Sequence, residues 1–146
     1  MTTRDYHFAD LVAGELRLLG VLPLNATNAF HVVWYVFATR PRTVNELART
    51  LNVHRCTVSR AVTAAGLPPL TRWIQLARAL WACRWMAVTG EPVTRTAVEA
   101  GYSDPFAFSR QLHRISGIRP SEIRDSRDWR VVLPAFIKHH AKAGAR

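Results

Sequence analysis

The sequence predicts an all-α fold with two helix-turn-helix units joined by a long linker helix, and with an extra helix at the N-terminus. Apolar residues recur with helical spacing almost throughout the chain, and strand-like alternation is absent. Glycine and proline fall at intervals that separate one helical segment from the next. A pattern of short helix, tight turn and longer helix also occurs twice, which indicates a repeated unit.

Eight helical segments follow from these signals, at about residues 5–19, 27–39, 43–51, 54–65, 70–88, 93–100, 105–116 and 120–128. The first segment has one apolar face, formed by Phe8, Leu11, Val12, Leu16 and Leu19. Thr43, followed by Glu46 three residues later, predicts a capping box at the third helix. After Pro134 the basic tail has little apolar surface to bury, and we expect it to fray.

The repeat joins two stretches of similar sequence. Residues 48–69 are ARTLNVHRCTVSRAVTAAGLPP, and residues 97–120 are AVEAGYSDPFAFSRQLHRISGIRP. Each has an apolar residue followed by Ser-Arg, and these two Ser-Arg pairs lie 50 residues apart. Each stretch then ends in Gly-x-x-Pro. A single match of this kind is weak because paired short helices are common, but two in tandem indicate helix-turn-helix units.

The net positive charge of the chain is confined to the region that contains the repeat. The formal net charge is +10. Residues 1–40 hold three acids and three bases, whereas residues 41–146 hold seven acids and 17 bases. A basic segment beside a neutral one suggests a polyanionic partner, with nucleic acid the first candidate. The alternative is a soluble protein that is rich in arginine, since net charge reports only non-specific attraction.

The sequence has no pattern typical of a membrane-spanning segment or of a secretion signal. Its two cysteines, Cys56 and Cys83, lie in predicted helices and cannot form a disulfide framework, which fits a reducing cytoplasm. The N-terminus lacks an apolar signal core, and the strongest apolar run, 29–38, is too short to cross a bilayer. We therefore expect a cytoplasmic protein.

Catalysis finds no support in the sequence. Cys56 and His54 are two residues apart on a helix, so their side chains point in different directions. The histidines and cysteines lack metal-ligand spacing, and neither a glycine-rich phosphate loop nor a pair of carboxylates is visible. We expect no enzyme activity, no metal and no cofactor.

The second copy resembles the DNA-binding domain of the AraC/XylS-type transcription regulators. The matching residues are Gly101, Tyr102, Ser103, Asp104, Phe108, Ser109, Arg110, Gly117, Pro120, Ser121, Glu122 and Arg124. The first copy is similar more loosely, and the intervening helix resembles the family's linker helix. The resemblance covers about residues 29–124 and implies two helix-turn-helix units that bind DNA. Family members commonly add a sensor domain, which the 28 preceding residues are too few to form.

Four positions depart from the family pattern, namely His54, Val62, Phe106 and Ile123. His54 stands where a capping serine or threonine is usual. Phe106 replaces a small polar residue near the start of the second recognition helix. At that position we expect base preference to be set by apolar contact with a thymine methyl group.

Recognition helices enter the major groove by their N-terminal halves, which selects two sets of candidate DNA-binding residues. The first helix offers Arg55, Cys56, Ser59 and Arg60, and the second offers Pro105, Phe106, Ser109 and Arg110. Arg60 and Arg110 could instead be solvated, or could form ion pairs with an acid such as Glu46 or Glu99. Weaker candidates for phosphate contacts are Arg42, Arg49, Arg72, Arg95, Arg114 and Arg119.

These interpretations divide the chain into an N-terminal helical extension at 1–28, a tandem helix-turn-helix DNA-binding domain at 29–128 and a basic C-terminal tail at 129–146. Within the domain, the first unit, linker helix and second unit lie at about 43–66, 70–88 and 93–117. We expect a sequence-specific regulator whose two recognition helices enter successive major grooves. RNA polymerase is a possible partner, and the N-terminal helix could support self-association. The alternative is a non-specific architectural DNA clamp or a protein-interaction module.

Overall fold

The computed structural model describes residues 5–21 and 27–144, and all regular structure within these ranges is helical. The helices are α1 (Tyr6–Leu18), α2 (Thr27–Thr39), α3 (Val44–Leu51), α4 (Arg55–Thr63), α5 (Leu70–Thr89), α6 (Val93–Glu99), α7 (Pro105–Ser116), α8 (Pro120–Ser126) and α9 (Val132–Gly144), with a 3-10 turn at Trp129–Val131. The predicted all-α class is confirmed, and each of the eight predicted helices is present. Two compact units, Met1–Ala77 and Arg78–Arg146, contain these helices and are described separately.

In the first unit, α1 packs along α2 and is an integral part of the core. Phe8 and Leu16 of α1 are fully buried, and the ring of Phe8 meets that of Phe37 edge-to-face at 5.9 Å. Asp5 begins the helix, because its carboxylate accepts a hydrogen bond from the Phe8 N–H at 2.9 Å. Phe8 and Leu16 are therefore unavailable for the self-association that the amphipathic pattern of this helix allows.

The first helix-turn-helix unit rests on α2, since α4 packs against both α2 and α3. Val58 and Val62 of α4 are buried one helical turn apart, so they form its inward face. The start of α5 completes this core: the ring of Trp73 meets Phe37 edge-to-face at 6.2 Å. The indole N–H of Trp73 donates to the carbonyl of Pro68 at 3.0 Å. This bond satisfies the one polar group of the buried tryptophan side chain.

In the second unit, α7 packs against α6 on one side and against α9 on another. Phe108, Leu112 and Ile115 are the buried face of α7, at the spacing that places three side chains on one side of a helix. Gly117 ends α7 in the left-handed conformation, with φ of 76°, a region that glycine enters without steric cost. The predicted helix end at this glycine is confirmed.

The prediction that the tail frays after Pro134 is wrong for the residues that the structure describes, because α9 continues to Gly144. Leu133 and Phe136 are buried, so the segment has an apolar face that packs onto the second unit. Pro134 lies in the first turn of α9, where a backbone N–H has no partner within the helix in any case. The proline is therefore compatible with the helix.

Candidate nucleic-acid interface

The turn of the first helix-turn-helix unit is short and well capped. Asn52 adopts the left-handed conformation, with φ of 55°, which asparagine tolerates better than most residues. His54 then begins α4: its Nδ1 accepts a hydrogen bond from the N–H of Cys56 at 3.1 Å. His54 thus performs the capping role that a serine, threonine, aspartate or asparagine side chain usually fills. The start of α4 is fixed by a side chain that the sequence marked only as a departure.

The N-terminus of α3 has the predicted capping residues in a slightly altered arrangement. The Thr43 hydroxyl accepts a hydrogen bond from the N–H of Glu46 at 3.1 Å, as predicted. The Glu46 carboxylate accepts in turn from the N–H of Arg42 at 3.0 Å, one residue before the cap. Glu46 is therefore committed to the start of α3.

The outward face of α4 presents the predicted side chains to solvent. Arg55, Cys56 and Arg60 are exposed, and Ser59 is half-buried. Thr57 is exposed as well, although the sequence did not single it out for DNA contact. Helical geometry places Cys56 and Arg60 on the side opposite the buried Val58 and Val62. The N-terminal half of α4 is thus open on the face that could enter a groove.

The turn of the second unit is held by Tyr102. Its hydroxyl donates to Oε1 of Gln111 at 2.5 Å, and its ring lies 5.4 Å from that of Phe108. The guanidinium of Arg78 lies over the same ring, 5.6 Å from its centre. Burial raises the pKa of Tyr102 far above its ordinary value, although Arg78 opposes this, so the phenol remains a donor. These contacts tie the turn to α7.

The Asp104 carboxylate begins α7 by accepting a hydrogen bond from the N–H of Ala107 at 2.8 Å. Beyond this cap, Phe106 is 71% exposed although it is a large apolar residue, and Arg110 is exposed one turn later. Pro105 and Ser109 are half-buried at the edge of the same face. The structure therefore places the four predicted residues of α7 on its open side or at the edge of it.

His113 extends this open side by a further turn, and the sequence interpretation missed it. It is exposed and follows Phe106 by seven residues and Arg110 by three, the spacing of one helix face. The helical period would have identified it. It was missed because only the N-terminal half of the helix was considered.

Helices α4 and α7 lie in stretches of sequence without acidic residues, at 47–90 and 105–121. The six weaker candidates are all exposed in the structure: Arg42, Arg49, Arg72, Arg95, Arg114 and Arg119. Within the described part of the chain, neither Arg60 nor Arg110 forms the ion pair that was considered as an alternative. Both arginines are available to a partner outside the chain.

A surface cleft lies beside α4 in the first unit, and another lies beside α7 in the second unit. The cleft in the first unit has a volume of about 290 Å³ and is lined by Arg42, Thr43, Val44, Asn45, Arg55, Thr71, Ile74 and Gln75. The cleft in the second unit has a volume of about 480 Å³ and is lined by Val93, Ser109, Arg110, His113, Arg119, Pro120 and Ser121. Each cleft contains two arginines and no acidic side chain.

Two other features were sought in residues 5–21 and 27–144, namely a metal site and a membrane-spanning helix. No group of histidine, cysteine and acidic side chains in these ranges is arranged to hold a metal ion. No helix there is both long and apolar enough to cross a bilayer. Of the two cysteines, Cys56 is exposed and Cys83 is buried, and burial raises the pKa of the Cys83 thiol.

Comparison with known proteins identifies the region that contains α4 and α7. The profile of a protein family described as "Helix-turn-helix domain" matches residues 47–126, more than half of the chain. The match begins within α3 and ends at the last residue of α8, so it spans both helix-turn-helix units. No curated protein matches the chain at a significant level.

Proposed function

The chain belongs to the AraC-type helix-turn-helix family of DNA-binding transcription regulators, and from this premise we propose that it recognises a specific sequence of double-stranded DNA. In this proposal α4 and α7 are the recognition helices. Each enters a major groove by its N-terminal half, and the two grooves are successive, about one helical turn of DNA apart. If α4 and α7 are closer together than two successive major grooves of straight DNA, the DNA must bend to accommodate both. Such a bend costs on the order of 1–6 kcal/mol.

The observation that best supports this proposal is the two-sided character of both helices. Each has a buried apolar face and an opposite face that is open to solvent, free of acids and occupied by side chains suited to groove contacts. On α4 this face carries Cys56 and Arg60, with Ser59 half-buried beside it and Arg55 exposed at the start of the helix. On α7 it carries Phe106 and Arg110, with Pro105 and Ser109 half-buried at its edge. A helix used only for packing between proteins does not require exposed arginines beside an acid-free surface.

Different chemistry on the two helices gives them different roles. Arg60 donates two hydrogen bonds to the O6 and N7 atoms of a guanine, a contact worth about 1–3 kcal/mol of discrimination. Phe106 has no hydrogen-bonding group, and it contacts the C5-methyl group of a thymine. The six weaker candidates, which are Arg42, Arg49, Arg72, Arg95, Arg114 and Arg119, bind phosphates and set the position of the protein without reading sequence. Bound near a promoter, the protein contacts RNA polymerase or blocks its access.

The test is a selection of bound sequences from a random DNA pool, followed by competition between the selected site and random DNA. A sequence-specific regulator prefers the selected site by at least roughly 10³-fold. Preference below about tenfold would instead favour the non-specific clamp, for which sequence makes little difference.

Arg60→Ala examines the role of α4 in the same selection, with Arg49→Ala as the matched control because Arg49 is exposed on α3. Loss of Arg60 should cost about 1–3 kcal/mol on the selected site, cost less on random DNA and relax preference at one position. Arg49→Ala should leave the preferred sequence unchanged. An Arg60→Ala protein that selects the wild-type sequence with undiminished preference would contradict base reading by this residue.

A further inference from the structure

We propose that the cleft of the second unit binds one phosphate of the DNA backbone, through Ser109, Arg110, His113, Arg119 and Ser121. We call these five residues the phosphate cleft. The inference rests on the proposed function for the identity of the ligand, and it assigns to Arg110 a role different from that of Arg60.

The side chains of the phosphate cleft come from α7 and from the start of α8, and all five can donate hydrogen bonds. Two guanidinium groups provide positive charge and a forked donor geometry that matches phosphate oxygens. Ser109 and Ser121 add hydroxyl donors. A phosphodiester has oxygens that only accept, so this set of side chains is chemically complementary to it.

No carboxylate competes for these donors within the cleft. The next acidic residue along the chain, Glu122, is already engaged, because its Oε2 accepts a hydrogen bond from the N–H of Arg119 at 3.0 Å. That bond also fixes the backbone of Arg119 at the start of α8. Arg110 and Arg119 are both exposed, so a phosphate can reach them from solvent.

The position of the cleft favours a DNA phosphate over a small soluble anion. Arg110 belongs both to the cleft and to the open face of α7, one turn after Phe106. A strand whose base meets Phe106 would therefore pass its backbone beside Arg110. Arg60 at the matching position of the repeat does not line the cleft of the first unit, where Arg42 and Arg55 lie instead. The two aligned arginines thus have different surroundings.

The experiment measures the salt dependence of binding by the full chain to its selected DNA site and to random DNA. Each phosphate contact contributes about 0.9 to the slope of log K against log salt. Arg110→Ala and Arg119→Ala should each weaken binding to all sequences alike, lower the slope by no more than about one because the other arginine still faces the phosphate, and leave base preference unchanged. Arg124→Ala is the matched control, because Arg124 is exposed on α8 but does not line the cleft.

A double variant separates one shared phosphate from two independent contacts. The slope counts the phosphates that the protein neutralises, so two arginines on one phosphate together contribute about one to it. If Arg110 and Arg119 bind the same phosphate, Arg110→Ala/Arg119→Ala should therefore lower the slope by about one. A fall of about two would assign them to separate phosphates and would overturn the proposal. Unchanged affinity for DNA in Arg119→Ala would overturn it as well. Circular dichroism of each variant checks that the helices are intact.

Neutral phosphate analogues locate the contact on the DNA. One methylphosphonate at the correct position should weaken wild-type binding and should not further weaken the variant that lacks both Arg110 and Arg119. If inorganic phosphate binds in the cleft while loss of both arginines leaves DNA affinity unchanged, the cleft binds small anions and the proposal is wrong. The proposed function fails separately, by loss of preference for the selected site over random DNA, even if the slope changes remain.

Discussion

Two phenylalanines on one helix allow the same substitution to test folding and recognition separately. Phe106 and Phe108 are both in α7, but Phe106 is 71% exposed and Phe108 is fully buried. Phe108→Ala removes a ring that packs on Tyr102 and leaves a cavity, so it should lower the free energy of unfolding by about 3–5 kcal/mol. Phe106→Ala removes little buried surface and should change the free energy by no more than about 0.5 kcal/mol.

The effect of Phe106 on DNA binding can be estimated from a single methyl group. Burying one such group contributes about 0.8 kcal/mol, which corresponds to roughly a fourfold change in affinity. Replacing the contacted thymine by uracil removes only that methyl group. Wild-type protein should therefore bind the thymine site about fourfold more tightly than the uracil site. Phe106→Ala should bind the two sites equally.

The assays are urea unfolding followed by circular dichroism, and titration of labelled duplexes that differ only in this methyl group. Phe106→Ala that retains the full preference for thymine over uracil would refute the assigned contact. A loss of stability above about 2 kcal/mol in Phe106→Ala would refute its outward position, because exposed side chains rarely contribute that much. Phe108→Ala serves as the positive control for destabilisation.

Three further predictions use other features of the structure. Native protein should react with a thiol reagent at the exposed Cys56 and not at Cys83, because Cys83 is buried and its pKa is raised. Bound DNA should slow the reaction at Cys56. Mass spectrometry of the labelled protein measures both effects, and equal labelling with and without DNA would place Cys56 outside the interface. Asp104→Ala removes the cap of α7 and should cost about 1 kcal/mol of stability in urea unfolding, whereas Asp125→Ala, at an exposed position, should cost less. Deleting residues 1–21 should lower the urea midpoint of the first unit, because the buried face of α1 is lost; an unchanged midpoint would contradict the packing of α1 on α2.

The sequence predicted the helices well because their ends are determined locally. Asp104 begins α7 and Gly117 ends it, and both signals act within a few residues of the helix end. His54 shows the limit of such rules, because its capping hydrogen bond depends on the rotamer of an imidazole. The open faces of α4 and α7 were also predictable, since they follow from the helical period.

The errors concern contacts between segments that are distant in sequence. The helix after Pro134 forms because Leu133 and Phe136 find a surface on the second unit, which the tail's composition does not reveal. The apolar face of α1 was visible in the sequence, but its partner was not, since the same face could contact another helix or another molecule. The clefts could not be predicted for the same reason, because each combines residues from several helices.

Each of the two proposed recognition helices packs against a helix that lies outside the family match: α4 packs against α2, and α7 packs against α9. Substitutions on α2 and α9 could therefore reposition α4 or α7 by fractions of an ångström without altering any side chain on their open faces. Directed evolution of binding preference in this protein should sample α2 and α9 together with the groove-facing positions. A protein trimmed to residues 47–126 would lose both supports, and its recognition helices would rest on exposed apolar surfaces.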